Sequence, residues 1–193
     1  QAMINSLRRW VCTIAVLLHM VCGHGQSGAL DPSFNPGTGA NQTISQTIAL
    51  PNGSFLIAGT FSSYNGTACG RIARILPDGS YDATFFSGTG FNGQVDRIAV
   101  RSDGMIIALG LFSTYNGNNV DRVALLFPDG TLDLSFTPIA PNPGTVTGLE
   151  VLPDDRFIIT GIFVVPGHPG QVRAVRFMPD GSLDQVLATM SNV

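Results

Sequence analysis

The chain has no lysine, and charge of either sign is scarce: only 12% of its residues are Asp, Glu, Lys or Arg and the formal net charge is −3. Soluble domains usually carry about 25% charged residues. With no basic stripe, the electrostatic footprint of a nucleic-acid or anionic-lipid binder is missing, and both partner classes are excluded. Cysteine is equally sparse. Of the three, Cys12 and Cys22 fall in an N-terminal segment that reads as removable, leaving Cys69. A single thiol excludes an intrachain disulfide and any cysteine-cluster metal site, and Cys69 reads as an incidental loop thiol. Histidine is reduced in the same way to His168, which cannot build a metal cluster or a Ser-His-Asp arrangement. Sustained helical periodicity is lacking beyond the first thirty residues.

That first segment has its own logic. Arg8 and Arg9 precede an apolar run over residues 10–22, followed by small and glycine residues over 23–29. The pattern predicts a secretory signal peptide over residues 1–29, with Gln1 and Ala2 as extra upstream residues and cleavage after Gly25 or Ala29. The run is shorter than the ~20 residues that span a bilayer, so no stable membrane span is expected once the signal is cleaved. Secreted, periplasmic or cell-surface placement is the expectation.

What the chain has in abundance is glycine, proline and a period. The stretch over residues 52–82 returns at 103–133 and 154–184 with a spacing of 51 residues. Gly59, Gly110 and Gly161 correspond, as do Phe61, Phe112 and Phe163, and the turns Pro77-Asp78-Gly79, Pro128-Asp129-Gly130 and Pro179-Asp180-Gly181. A fixed period of this length marks a repeat architecture. Each unit reads as four short strands. The first, at 44–50, 95–101 and 146–152, alternates apolar residues and ends at a hairpin turn such as Asn52-Gly53 or Asp103-Gly104. The second is apolar on both faces, as expected of a strand between two covering layers, and its recurrent glycine suggests a close backbone approach or a bulge. A loop with Tyr64-Asn65-Gly66, or Tyr115-Asn116-Gly117, leads to an arginine-led third strand. The Pro-Asp-Gly turn closes it. A fourth strand carries Asp82 and Phe85, Asp133 and Phe136, or Asp184 and Leu187.

Four strands in about fifty residues is the size of one propeller blade. The expected fold is all-β: a β-propeller-like array of about three four-stranded units, roughly 35–85, 86–136 and 137–187, within a domain over 30–193. Three units are fewer than the ~4–8 blades that close a ring. The expectation is therefore a partial propeller, either a portion of a longer protein or an arc completed by further repeats or another copy, with an open stack of sheets as the alternative.

These elements, with Leu30-Asp31-Pro32-Ser33-Phe34 as an opening copy of the last one, resemble the delta-60 repeat proteins over nearly all of 30–193. The resemblance implies a β-propeller-like fold in large secreted or surface bacterial proteins. The third unit departs from it: Asp154-Asp155 replaces Asp-Gly, and Pro166-Gly167-His168 replaces Tyr-Asn-Gly.

Several motifs invite chemistry. Residues 88–93 spell a dinucleotide-binding Gly-x-Gly-x-x-Gly, but that motif needs a strand before it and a helix N-terminus after it; here it joins two strands and reads as a structural link. Asp78 with Asp82, and their copies, could offer carboxylates to calcium, yet two per unit fall short of the six or more oxygens a full loop supplies. They read as structural, the first making its turn and the second bonding backbone. Arg71, Arg122 and Arg173 read as buttresses, pairing with the next unit's Asp. Asn-Gly-Ser and Asn-Gly-Thr triplets match the glycosylation sequon only through turn chemistry. No catalytic, cofactor or metal residue is assigned and no cofactor is expected. Tyr64, Asn65, Tyr115 and Asn116 are the candidate ligand-loop residues, on the expectation that their aromatics are exposed. The chain is expected to be non-enzymatic, a scaffold or recognition surface for a protein or glycan partner, with a sugar-binding or enzyme-associated propeller portion as the alternative.

Overall fold

The computed structural model describes residues 31–85, 88–136, 142–168 and 170–189. The predicted signal peptide lies outside the described residues; the repeats fall in one compact unit, Pro32–Val193. Their elements are all β. The first unit contains β1 (Ile44–Ala49), β2 (Phe55–Gly59), β3 (Ser63–Tyr64), β4 (Thr67–Ala68) and β5 (Ile72–Ile75). The second repeats this as β6 (Val95–Val100), β7 (Ile106–Gly110), β8 (Thr114–Tyr115), β9 (Asn118–Asn119) and β10 (Val123–Leu126). The third has four longer strands, β11 (Asn142–Val151), β12 (Phe157–Val164), β13 (Gln171–Phe177) and β14 (Leu183–Thr189).

Each unit forms an antiparallel meander, β1-β2-β5, β6-β7-β10 and β11-β12-β13-β14. The strand that is apolar on both faces lies in the middle of each sheet, and all five residues of β7 are buried. One face of β7 meets the first sheet through Ile106 and Ala108, against Leu56, Ala58 and Ile72. Its other face meets the third sheet through Ile107 and Leu109, against Phe157, Ile159 and Val175. The strands β1, β6 and β11 pack against one another from unit to unit. Gln46 fixes the first step with two hydrogen bonds of 2.9 Å, its amide donating to the Ile98 carbonyl and accepting from the Ile98 N–H.

The recurrent glycine does both things its position suggested. A Cβ on Gly59, Gly110 or Gly161 would lie 2.1 Å from the carbonyl oxygen of Thr43, Gln94 or Thr145. In each unit the facing strand shifts register at this point, between Ile44 and Gln46, Val95 and Arg97, or Val146 and Gly148. Glycine lets the bulged strand press onto its neighbour.

The fourth strand departs from expectation in two units. In the first it shrinks to the single bridge Ile75 to Tyr81, and in the second to Leu126 with Leu132. The cause is local. The Asp82 carboxylate accepts from the Thr84 N–H at 2.9 Å and the Thr84 hydroxyl at 2.6 Å, and Asp133 does the same with Ser135. These bonds fold the backbone into a turn that competes with a ladder. In the third unit Val186 stands where Thr84 and Ser135 do, no such turn forms, and the chain continues as the seven residues of β14.

Candidate functional site

The loops holding the candidate ligand residues are β-hairpins built on Asn-Gly turns. Asn65 and Asn116 both sit at φ 49°, with Gly66 at 77° and Gly117 at 80°. That left-handed pair is the two-residue turn whose twist suits a hairpin. The tyrosines that precede them are buried, Tyr64 at 4% and Tyr115 at 0% exposure, so the expectation of exposed aromatics is corrected. The reason is a hydrogen bond across the unit: the Tyr64 hydroxyl donates to the Gly79 carbonyl at 2.9 Å and Tyr115 to Gly130 at 2.6 Å. Each tyrosine ties the hairpin to its own Pro-Asp-Gly turn. Burial pushes both phenols above their ordinary pKa.

The asparagines are spent as well. Asn116 Oδ1 accepts the Gly90 N–H at 2.8 Å and the Thr89 hydroxyl at 3.2 Å; Asn65 accepts from Gly39 at 2.8 Å and Thr38 at 3.4 Å. The receptor of Asn116 is the Gly-Thr-Gly loop, with φ 56° at Gly88 and 68° at Gly90. Paired N–H groups in such a loop form a concavity suited to an anion. In this protein the concavity already holds an amide oxygen of the same chain, and a Cβ on Gly88 would lie 2.5 Å from it. Gly70 closes the other side: its carbonyl accepts from Phe91 N–H at 2.9 Å, and a Cβ there would lie 2.3 Å from Gly90 Cα. The dinucleotide pattern is a receptacle for Asn116. Both partners change in the third unit, where Gly167 stands 51 residues after Asn116 and Ile139-Ala140-Pro141 replaces Gly-Thr-Gly.

A third asparagine completes the hairpin. Asn41 Oδ1 accepts the N–H groups of Ser62 and Ser63 at 2.9 and 3.1 Å, and its amide donates to Ser62 Oγ at 3.0 Å. Asn92 repeats this with Ser113 and Thr114. Sequence reading gave Asn41 no such structural role. Its recurrence 51 residues later as Asn92 was the available signal.

The aspartates fold their own turns. Asp78, Asp129 and Asp180 each accept the N–H and hydroxyl of the residue two places on, at 2.6 to 2.9 Å. Those bonds hold all three carboxyls below the usual range. Burial pushes Asp82 up, but the Thr84 and Arg74 hydrogen bonds outweigh it and hold it low. Among the described residues, no three His, Cys, Asp or Glu side chains converge.

The arginines are rearranged relative to expectation. Arg71 reaches the next unit, but its guanidinium donates to the Phe91 carbonyl and not to an Asp. Charge pairs form instead at arginines that sequence reading missed, among them Arg74 with Asp82 at 2.6 Å and Arg176 with Asp184 at 2.5 Å. Position 125 is Leu, which breaks the period and hid the pattern. Cys69 is fully buried, and burial pushes its thiol up to about 11. One polar depression of about 200 Å³ remains beside the second hairpin, lined by Asn92, Leu111, Ser113, Asp121 and Arg122. Leu111 there is 56% exposed, and Asp121 and Arg122 hold φ 31° and 71°.

Three segments, 50–85, 101–136 and 152–185, match the model of a β-propeller domain of unknown function, DUF5122. Together they make up more than half of the chain. The chain belongs to this β-propeller repeat family. Each of the first two segments runs from the residue after the bulged strand to the phenylalanine of the closing Asp turn. No curated protein matches the sequence.

Proposed function

We propose that the chain is a non-enzymatic propeller module of the delta-60 kind, exported from the cell, which presents a scaffold or recognition surface for a protein or glycan partner. The observation that carries this is the internal use of the recurring polar side chains. Tyr64 and Tyr115 brace their units, Asn65 and Asn116 fill the glycine loops, and the aspartates make turns. Function then falls to side chains not spent on turns or internal bracing, and the depression at Leu111, Asp121 and the recurring Arg122 supplies a polar rim beside an exposed apolar residue. Export is supported by Arg8 and Arg9 ahead of the apolar run and by the small residues after it.

The test is a screen of the chain against polysaccharides and against generic ester, phosphate and glycoside substrates. Binding without turnover is expected, weakened by Asp121→Ala or Arg122→Ala at unchanged stability. Turnover abolished by either substitution would overturn the non-enzymatic reading. A flat response across the polysaccharides would move the partner to the protein class.

A further inference from the structure

The joint between the first and second units and that between the second and third are made in the same way. Leu56, Ala58 and Ile72 form the forward face of the first sheet and meet the rear face of the second, including Ile106, Ala108 and Leu126. A polar clamp accompanies this contact. Arg74, held by Asp82, donates through Nη1 to the Pro128 carbonyl of the next unit at 2.8 Å and lies 5.3 Å over the ring of Phe85. At the second joint, where Leu125 replaces Arg74, Arg101 takes over and donates to Pro179 at 3.1 Å.

The chain carries both halves of a third such joint. On the forward face of the third sheet, Arg176 stands at the Arg74 position and is held by Asp184 as Arg74 is by Asp82. Its Nε and Nη2 donate to Asp184 and Gln185, while its Nη1, the clamp atom of Arg74, meets no described acceptor. On the rear face of the first sheet, Pro77 stands at the Pro128 position, and its carbonyl receives no described donor. Phe34 occupies the Phe85 position and is 40% exposed. No described side chain of the second or third unit belongs to the apolar cluster on this rear face. A cavity of about 350 Å³ opens there, lined by Phe34, Ile44, Ile57 and Ile75.

Three sheets are fewer than the ~4–8 that close a propeller, and the forward face of one copy carries the clamp that the rear face of another would accept, so a second copy fits the vacant rear face. The closing segment of the third unit strengthens this choice. Where Phe85 and Phe136 ride a turn across to the following sheet, Leu187 stays on strand β14 beside its own sheet. The third unit therefore brings no aromatic to its forward joint, whereas the first unit's rear face already holds Phe34. We propose that the third unit of one copy docks on the rear face of the first unit of a second copy, with Arg176 over Phe34 and donating to the Pro77 carbonyl. Made twice, this head-to-tail contact closes two copies into a ring of six sheets, within the ~4–8 that propellers use. Thr160 and Ala174 stand where Ala58 and Ile72 do, so this joint is softer than those inside the chain. The proposal rests on the repeat architecture and is independent of what the module binds.

Sedimentation velocity on the full chain over a concentration series tests it. The expected species has twice the 20.3 kDa chain mass and dissociates on dilution. Arg176→Gln raises the dissociation constant on the order of tenfold. Phe34→Arg and Ile158→Arg are each monomeric with unchanged far-UV circular dichroism, and an equimolar mixture of the two recovers dimer, because the mixed pair keeps one intact joint. Leu111→Arg leaves the dimer unchanged. A wild-type chain that stays at single mass at every concentration overturns the proposal. A dimer that persists in Ile158→Arg would mean that first-unit faces pair back to back, and an open series of higher masses would exclude the closed ring. If a charged variant loses its β signal, Arg176→Gln still decides, because its substituted side chain is partly exposed.

Discussion

At Asn116 a single side chain does three things: it supplies the left-handed residue of a hairpin turn, accepts a backbone N–H, and fills a glycine loop 26 residues away in sequence. The contributions separate by substitution. Asn116→Asp keeps an acceptor at that position and tolerance of φ 49°, and is expected to cost least. Asn116→Gly keeps the turn but leaves the Gly90 N–H without its partner, costing about 1–2 kcal/mol. Asn116→Ala adds the left-handed penalty of about 1 kcal/mol and is expected to be the worst of the three. Urea denaturation midpoints in the order Asp, Gly, Ala would verify this, and equal midpoints would show that the lock contributes nothing. The residues of the lock were legible in the sequence as recurrences, and their roles were not. A buried tyrosine and an exposed one are the same letter, and only the Gly79 and Gly130 carbonyls 15 residues away decide which it is.

For whole elements, the contest is between local turn and ladder. The difference between a one-bridge closing segment and the strand β14 rests on the residue two places after the aspartate: Thr84, Ser135 or Val186. Val186→Ser offers Asp184 the same local bonds and is expected to loosen β14. The readout is amide hydrogen exchange, with faster exchange at Ala188 and Thr189 and little change in β12. Unchanged protection would mean that the Arg156 and Arg176 bonds to Asp184 hold the strand regardless. Sequence reading placed all four strand positions in each unit but drew the last as a strand throughout. It read the second aspartate as bonding backbone at the start of the strand and did not let that bond replace the strand. The short hairpins β3-β4 and β8-β9 were written as loops for a related reason: two-residue strands carry no periodicity.

Across the molecule, the carboxylates set the response to acid. Asp78, Asp82, Asp129, Asp154, Asp155, Asp180 and Asp184 all have folded pKa values below their ordinary ones. A depressed folded value contributes stability that is present above the unfolded pKa and is lost as pH falls through the folded one. The melting temperature is therefore expected to be flat near neutrality and to fall as pH drops below about 4. Because the turn aspartates already accept hydrogen bonds from their own loops, millimolar calcium and a chelator are both expected to leave the melting temperature unchanged, and a reversible rise with calcium would overturn their structural role.

Period, all-β class, strand order within a unit and a β-propeller kind of repeat are all written in the sequence alone. They come from spacing, alternation and turn chemistry, which act between residues close along the chain. Packing set what the repeated polar residues are for. Tyr115 faces inward, Asn116 plugs the glycine loop, and Arg74 clamps the next unit while Leu125 leaves that task to Arg101. Each of those outcomes depends on a hydrogen bond between groups 15 to 78 residues apart, and whether such a bond forms is set by how the sheets stack against one another, which no local pattern encodes.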